Sequence, residues 1–205
     1  MHVEQSTVHT MGKRILVLQG HPDRSERHWG HALAEAYADG ARAAGHEVRV
    51  VELAQLDFPL LRSAREWESG PLPACLQEPQ DAIAWAEHLV IFFPLWMGDM
   101  PALLKGFLEQ VARPGFAFGP EGGNPFGRKG LKGRSARVVV TMGMPAMVYR
   151  FYFRAHSVKS LERNILGFVG IAPINETLVG GVDALDEKTR SGWLAKLKAL
   201  GREAL

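Results

Sequence analysis

The sequence predicts a single α/β domain built on a parallel sheet with helices on both faces. Apolar strand patterns alternate with helical patterns five times along the chain, which is the order that right-handed βαβ crossovers produce. The strand with the strongest signal, 89–93, is apolar without alternation, as a strand covered on both faces requires. At 205 residues the chain suits one well-buried domain, which we predict as a flexible tail, 1–12, and a domain, 13–205.

Each predicted element follows from its local pattern. The first helix has apolar side chains at helical spacing and ends before Gly45, while the second strand alternates, which favours a position nearer an edge. Pro101 opens the third helix, because a missing N–H costs nothing in a first turn. Asp183 or Asp186 is the predicted cap of the last helix, and the Gly/Pro-rich loop 114–133 is long enough to be functional. The elements are, in order, strand 14–20, helix 28–44, strand 47–53, helix 79–87, strand 89–93, helix 101–112, strand 136–141, helix 148–167, strand 174–178 and helix 186–205.

The composition argues against several classes of protein. A net charge of +2 without a basic stripe argues against a nucleic-acid-binding protein. A single cysteine, Cys75, excludes an internal disulfide framework and a Cys-based zinc site, and we expect no bound metal. The sequence has no apolar run of roughly 20 residues and no apolar core after its first residues, so neither a membrane span nor a signal peptide is expected. We therefore expect a cytoplasmic protein.

Three loops follow strands whose carboxyl ends share one edge of the predicted sheet, where open α/β folds place their ligands. The first loop runs from Gly20 into the first helix and offers His21, Ser25, Arg27 and His28. Free N–H groups and the positive end of the dipole make a helix N-terminus a site for phosphate. The alternative is that Ser25 is a plain N-cap. The loop has neither the G-x-G-x-x-G fingerprint nor a Walker A lysine, so those two phosphate sites are not expected.

The second and third loops suit a flat ring. A tryptophan in the second loop can lie against a planar cofactor, and Thr141 and the N–H groups around Gly143 can hydrogen-bond the polar edge of a ring. A core-capping aromatic in a tight turn is the alternative for the second loop, and a plain strand-to-helix turn is the alternative for the third. The second loop holds Pro94, Leu95, Trp96, Met97 and Gly98, and the third holds Thr141, Met142, Gly143 and Met144.

With these motifs the chain resembles the flavodoxin-like NAD(P)H:quinone oxidoreductases. That family includes cytosolic quinone reductases and the flavoprotein ancillary subunits of bacterial potassium-efflux systems. The resemblance implies a flavodoxin-like fold with a five-stranded parallel sheet in the order 2-1-3-4-5. It also implies a flavin, FMN with FAD as the alternative, and NADPH or NADH as the electron donor. It extends from Ile15 to about Leu200 and rests on the segments 21–25, 93–98, 101–106, 114–118, 131–133, 141–143 and 165–171.

The resemblance assigns a part of the flavin to each loop. His21 and Ser25, with Arg27 and His28 beside them, belong to the phosphate, the second loop flanks the ring, and the third loop meets its polar edge. The chain departs from the family at two places: His28 stands where the family commonly has Asn, and Thr-Met-Gly replaces Thr-Gly-Gly in the third loop.

The resemblance also gives two catalytic candidates. Tyr149 falls at the family's tyrosine position, and His156 falls one residue from the histidine position. Either side chain is expected to donate a proton or a hydrogen bond to the oxygen of the acceptor. The segment 149–156 is both aromatic and basic, which fits either an amphipathic helix with its aromatics in the core or a substrate wall shared across a dimer.

The predicted function is two-electron reduction of quinones or similar small electrophilic acceptors by NAD(P)H. A homodimer is expected by analogy with the family. The alternative is a flavin-binding regulatory subunit that docks on a membrane transporter. A hydrolase is less favoured, because the sequence has no G-x-S-x-G nucleophile elbow and no H-E-x-x-H metal helix.

Overall fold

A five-stranded, all-parallel sheet in the order β2-β1-β3-β4-β5 forms the centre of the molecule, which confirms the predicted fold class. The computed structural model describes residues 12–119 and 129–205, so almost all of the predicted tail and part of the loop 114–133 lie outside the described residues. The strands are β1 Arg14–Gln19, β2 Glu47–Glu52, β3 His88–Pro94, β4 Ser135–Thr141 and β5 Ile174–Val179.

Helices connect successive strands. The α-helices are α1 Trp29–Ala43, α2 Ala64–Ser69, α3 Gln77–Trp85, α4 Ala102–Val111, α5 Ala146–Phe151, α6 His156–Ser160, α7 Gly167–Val169 and α8 Glu187–Glu203. A π-helical segment, Leu161–Leu166, joins α6 to α7, and short 3₁₀ turns lie at Leu53–Gln55, Ala74–Leu76 and Val182–Ala184. Within the described residues no helix combines the length and the apolar character that crossing a bilayer requires.

The predicted strands are confirmed to within a residue or two, and the alternating strand, β2, lies at an edge of the sheet. Two predictions about helices are corrected. The predicted helix 148–167 is interrupted where Arg154 and Ala155 take positive φ angles of 54° and 48°. Helix α2 was not predicted, because none of its residues is buried and it therefore has no apolar stripe. Asp186 is the cap of α8, since its Oδ1 accepts the Thr189 N–H at 2.8 Å.

Each face of the sheet has its own apolar core. In β3, Leu89, Ile91 and Phe93 belong to one core, while Val90 and Phe92 belong to the other. Helices α1 and α8 cover the second core, and α3 and α4 contribute to the first. Because successive side chains point to opposite faces, a strand between two cores favours apolar side chains on both faces. This is why the strand 89–93 shows no alternation in the sequence.

Helices α1 and α8 cross with their backbones in direct contact. A Cβ added to Gly40 on α1 would lie 2.0 Å from the Lys198 carbonyl oxygen, and one added to Gly201 on α8 would lie 2.1 Å from the Tyr37 oxygen. Any larger side chain forces the helices apart. Gly192 lies on the same helix as Gly201, but no atom lies within 4 Å of its Cβ position.

We expect Gly40→Ala and Gly201→Ala each to lower the free energy of unfolding by about 2 kcal/mol, because a methyl group at the crossing separates the helices. The matched control is Gly192→Ala, which is expected to raise it by up to about 1 kcal/mol through helix propensity alone. Urea titrations of the three variants measure these differences. Equal effects at positions 192 and 201 would contradict the close crossing.

Candidate functional site

The three predicted loops meet at the carboxyl edge of the sheet. Backbone hydrogen bonds continue the sheet into them: the Gly20 N–H donates to the Phe92 oxygen at 2.7 Å, and the Leu95 N–H donates to the Thr141 oxygen at 2.8 Å. The loops border a cleft of about 600 Å³. It is lined by His21, Arg27, His28, Trp29, Gly30, Pro94, Leu95, Trp96, Thr141, Met142, Gly143, Val182, Asp183 and Arg190.

Most of the predicted cofactor-binding residues line this one cleft. They are His21, Arg27 and His28 from the first loop, Pro94, Leu95 and Trp96 from the second, and Thr141, Met142 and Gly143 from the third. The predicted residues Ser25, Met97, Gly98 and Met144 are not among the lining residues. The functional assignment of each residue stays a prediction.

The first loop folds around Asp23. The N–H and Oγ–H of Ser25 both donate to Asp23 Oδ1, at 2.8 and 2.6 Å, and these hydrogen bonds hold the pKa of the Asp23 carboxyl well below its usual range. Helix α1 begins at Trp29 with His28 as its N-cap residue, so the alternative in which Ser25 caps this helix is wrong. Arg27 forms an ion pair with Glu35 of α1.

Histidine rings form one wall of the cleft. The rings of His21 and His28 stack at 3.8 Å between centroids, and His28 Nε2 lies 2.9 Å from Asp23 Oδ2. Burial, together with the neighbouring His28 and His31, lowers the pKa of His21 to about 4, so that its ring is neutral near pH 7. The Asp23 N–H donates to His21 Nδ1 at 3.2 Å, which leaves the ring proton on Nε2. His21 therefore offers the cleft a neutral N–H donor.

Trp96 opens a tight turn beside these rings. The N–H groups of Trp96 and Asp99 each donate to the other residue's carbonyl oxygen at 2.9 Å, and Met97 and Gly98 between them take φ angles of 49° and 81°. Positive φ at both central residues is the pattern of a type I′ turn. The Trp96 side chain is 48% exposed and meets the edge of His21, so it does not cap the core as the alternative interpretation required.

The third loop is tied to the loop that follows β5. The Met142 N–H donates to the Val179 oxygen at 2.9 Å, whereas the Gly143 N–H makes no hydrogen bond within the described residues. The Met144 N–H likewise makes no hydrogen bond within the described residues, so among residues 142–144 only the Met142 amide is engaged. A Cβ at Gly143 would lie 2.9 Å from Asp183 Oδ2, so a larger residue would narrow the cleft here.

Five lining residues were not predicted: Trp29, Gly30, Val182, Asp183 and Arg190. The guanidinium of Arg190 lies 5.1 Å from the centre of the Trp29 ring and donates to the carbonyl oxygens of Leu185 and Val182. Trp29 Nε1 is buried without a partner among the described residues, so its N–H is a further donor that a bound ligand could accept from. Val182 and Asp183 could have been predicted, since the carboxyl end of the fifth parallel strand lies at the same edge. No sequence pattern indicates that Arg190 would line the cleft.

The two predicted catalytic residues lie outside the cleft of their own chain. Tyr149 is buried, its hydroxyl lies 2.6 Å from Ser157 Oγ, and the same hydroxyl accepts the Val158 N–H at 3.3 Å. These bonds hold α6 against α5. His156 is exposed at the first position of α6. Their catalytic roles stay predictions.

An exposed patch surrounds these residues, and we call it the aromatic patch. It comprises Met147, Val148, Phe151, Tyr152 and Phe153. Phe151 is 67% exposed and Tyr152 is 79% exposed, so the interpretation that places the aromatics of this segment in the core is wrong for these two residues. It holds for Tyr149, which is buried.

The cleft fits a flat cofactor that carries a phosphate. The orphaned Trp29 N–H and the neutral His21 donor lie at the start of α1, where the helix dipole favours an anion. The half-exposed Trp96 and the free Gly143 N–H suit the face and the polar edge of a ring. This fold and this donor set together define an α/β protein that binds a nucleotide-type cofactor at the carboxyl edge of its sheet.

The chain belongs to the flavodoxin-like fold family, whose family model matches residues 13–200. It is 28% identical over 200 residues to an uncharacterized NAD(P)H oxidoreductase of Haemophilus influenzae, covering 92% of this chain and 98% of that protein. It is also 43% identical over 75 residues to the glutathione-regulated potassium-efflux system ancillary protein KefG of Escherichia coli O6:K15:H31. That match covers only 36% of this chain and 38% of KefG.

Two solved structures share the fold. One is an NAD(P)H:quinone oxidoreductase from Methanothermobacter marburgensis, with a TM-score of 0.77, 27% identity, and coverage of 94% of this chain and 96% of that one. The other is an FMN-dependent NADH-azoreductase from Bacillus anthracis in complex with FMN, with a TM-score of 0.66. Its identity is 17% over 94% of this chain and 99% of that one, so it shows likeness of fold alone.

We expect stability to fall with pH below about 6.5 through His21. The unfolded chain protonates this ring near pH 6.5 and the folded chain only near pH 4, so between these values the unfolded state binds more protons. The free energy of unfolding therefore decreases as the pH falls. In His21→Asn, the loss between pH 7 and pH 4.5 is expected to be about 2 kcal/mol smaller than in the wild type.

Urea titrations of the apo proteins at the two pH values measure this difference. Part of the pH dependence is expected to persist in the variant, because burial also lowers the pKa of His88 to about 4. Identical losses in the wild type and in His21→Asn would show that His21 is not held neutral by the fold.

Proposed function

We propose that the protein is a flavin-dependent NAD(P)H oxidoreductase that transfers hydride to quinones or similar small electrophilic acceptors. The observation that carries this proposal is the cleft, which combines anion donors at the start of α1 with a half-exposed Trp96 and a free Gly143 N–H. The names of the H. influenzae relative and of the M. marburgensis structure support the same reaction class.

Different residues of the cleft hold different parts of the flavin. The His21 Nε2–H, the Trp29 N–H and the first turn of α1 bind the phosphate, with Arg27 at the rim. Pro94, Leu95 and Trp96 flank the ring, and the side chain of Thr141 and the backbone of the third loop bind its polar edge. When bound, the flavin supplies the hydride chemistry, and the protein orients it and stabilises charge on it. The free N–H of Gly143 is suited to that stabilisation, because it needs no reorganisation during the reaction.

FMN is the proposed cofactor, with FAD as the alternative. The proposal is supported by the N-terminus of α1 at the cleft, which suits one phosphate, and by the FMN bound on the same fold in the B. anthracis azoreductase. Either NADPH or NADH is the proposed electron donor. A cytoplasmic location is part of the proposal and is compatible with a chain whose one cysteine, Cys75, is free and exposed.

We further propose a homodimer in which the aromatic patch is covered by the second copy. An isolated chain that exposes this many large apolar side chains next to one another would be prone to association. Tyr149 lies within the stretch of sequence that forms the patch, His156 follows it, and neither residue reaches the cleft of its own chain. In the proposed dimer the exposed His156 acts on the acceptor in the partner's cleft, and the buried Tyr149 positions the helix α6 that carries it.

The first prediction of this proposal concerns the flavin. The protein supplied with FMN is expected to show a flavin absorbance spectrum that NADPH or NADH bleaches anaerobically and that a quinone restores. Trp96→Ala is expected to weaken FMN binding by about 10-fold, because the ring loses an aromatic contact. Trp96→Phe is the matched control, which keeps a flat side chain and most of the affinity.

Each outcome of this experiment has a separate meaning. Failure of the wild type to retain FMN or FAD contradicts the assignment of the cleft. Retention of a flavin that neither nucleotide reduces favours a second candidate function, an ancillary flavoprotein subunit of a potassium-efflux transporter. The partial likeness to KefG is the observation that favours this candidate. A pull-down from membranes that yields no transporter argues against it.

The second prediction concerns the acceptor. Tyr152→Asp is expected to give a monomer, since it places a charge inside the covered patch, and His156→Gln is expected to leave the dimer intact. Both variants are expected to retain FMN and to slow quinone reduction by at least about 10-fold. Light scattering after size-exclusion chromatography measures the first effect and stopped-flow absorbance the second. Full turnover by a monomeric Tyr152→Asp variant would remove the role of the partner chain.

A further inference from the structure

Arg137, in the amino-terminal half of β4, is a buried cation with no counter-ion among the described residues. The Arg137 side chain belongs to the face of the sheet that α1 and α8 cover, and only 7% of the residue is exposed. Its Nη1 donates to Thr177 Oγ1 at 2.7 Å and to the Glu176 carbonyl oxygen at 3.5 Å, both of which are neutral acceptors. No carboxylate among the described residues lies within ion-pair distance of it. A charge buried in this way is unfavourable unless an anion approaches it.

The polar neighbours of Arg137 do not supply that anion. Tyr37 is fully buried, and burial raises the pKa of its phenol, so its hydroxyl stays neutral. Burial and the nearby Lys13 and Arg137 lower the pKa of His88, which is therefore neutral as well. Tyr37 OH, His88 Nε2 and Arg137 Nε all lack partners within the described residues, and each is buried. This part of the interior therefore has hydrogen-bonding capacity to spare and no negative charge.

A cavity of about 280 Å³ leads to Arg137 from the surface between β5, α5 and α8. Its charged groups are Arg137, Arg150, Lys196 and Glu176, and the carboxylate of Glu176 is already paired with Arg150. The cavity thus has an excess of positive charge. Its other walls are mainly apolar, formed by Ala146, Met147, Leu178, Trp193 and Leu200. None of these residues lines the cleft at the carboxyl edge.

We propose that this cavity is a second ligand site, which binds a small organic anion with its acidic group on Arg137 and its apolar body against Trp193. The acidic group is a carboxylate or a phosphate, either of which accepts hydrogen bonds from a guanidinium. Lys196, whose ammonium lies 4.7 Å from the centre of the Trp193 ring, adds charge at the mouth of the cavity. The cavity and the cleft at the carboxyl edge share no lining residue, and Met147 is the one residue that the cavity shares with the aromatic patch.

Phenyl phosphate, benzoate and inorganic phosphate are the probes that test this site. The protein is first saturated with FMN, and each probe is then titrated in an otherwise phosphate-free buffer while the indole N–H resonances are followed by NMR. The Trp193 resonance, identified with Trp193→Phe, is expected to shift with a Kd on the order of 1 mM for the aromatic probes. Inorganic phosphate is expected to bind more weakly, since it lacks the apolar body. Shifts of Trp29 and Trp96 without a shift of Trp193 would place the probe in the cleft and overturn the proposal.

Variants separate an anion site from a merely structural arginine. Arg137→Met is expected to be as stable as the wild type or more stable without probe, because it removes an unpaired buried charge. At 10 mM phenyl phosphate the Tm of the wild type is expected to rise by about 3 °C, and that of Arg137→Met to stay unchanged. Lys196→Met, an exposed position that leaves the fold intact, is expected to show an intermediate rise. Arg65→Met, on the distant helix α2, is the matched control and is expected to respond as the wild type does.

The same measurements can overturn the proposal. If Arg137→Met keeps the full response to phenyl phosphate, or if none of the probes binds the wild type at 10 mM, the cavity is not an anion site. If Arg137→Met is strongly destabilised and Lys196→Met responds as the wild type does, Arg137 is a structural residue. The readouts do not involve flavin reduction, so they distinguish failure of this proposal from failure of the proposed oxidoreductase activity.

Discussion

All five strands run in the same direction, and the rest of the structure depends on that constraint. Parallel strands need crossovers, so helices must cover both faces, and the strands between two cores are largely apolar. The same constraint brings every loop after a strand to one edge. His21, Trp96 and Thr141, which are far apart in sequence, line a single cleft for that reason. The position of the site therefore follows from the direction of the strands and not from any particular side chain.

The cleft holds one of its donors, the ring of His21, neutral near pH 7. A cationic histidine beside the N-terminus of α1 would bind an anion more strongly, but burial and the neighbouring rings of His28 and His31 keep the pKa of His21 low. Asp23 fixes this arrangement, because its N–H bonds to His21 Nδ1 and its carboxylate lies against His28 Nε2. The result is an oriented N–H at His21 Nε2 that stays uncharged near pH 7 because the pKa of this ring is lowered to about 4. Oriented neutral donors bind a phosphate without the cost of burying several positive charges together.

The sequence predicted the strands and the cleft well because both follow from local patterns and strand direction. It failed where tertiary contacts decide. Ser25 is a typical N-cap residue, yet its hydroxyl bonds to Asp23 and the helix starts later, at Trp29. The helical periodicity of 148–167 continues across Arg154 and Ala155, although the backbone there turns left-handed. Arg190 reaches the cleft from α8, and no property of its neighbours in sequence indicates that a packed helix would bring it there.

The backbone conformation and exposure of Met97 are not explained by the stability of the fold alone. Its φ of 49° suits glycine or asparagine, and a residue with a Cβ costs on the order of 1 kcal/mol there. Its side chain is fully exposed, so no contact within the described chain offsets that cost. The aromatic patch has the same character, since large apolar groups remain in water although smaller polar ones would fold as well. Both Met97 and the aromatic patch are therefore unfavourable in the isolated chain, which indicates selection for contacts with other molecules. In the proposed function, a second copy of the chain and an aromatic acceptor would supply these contacts.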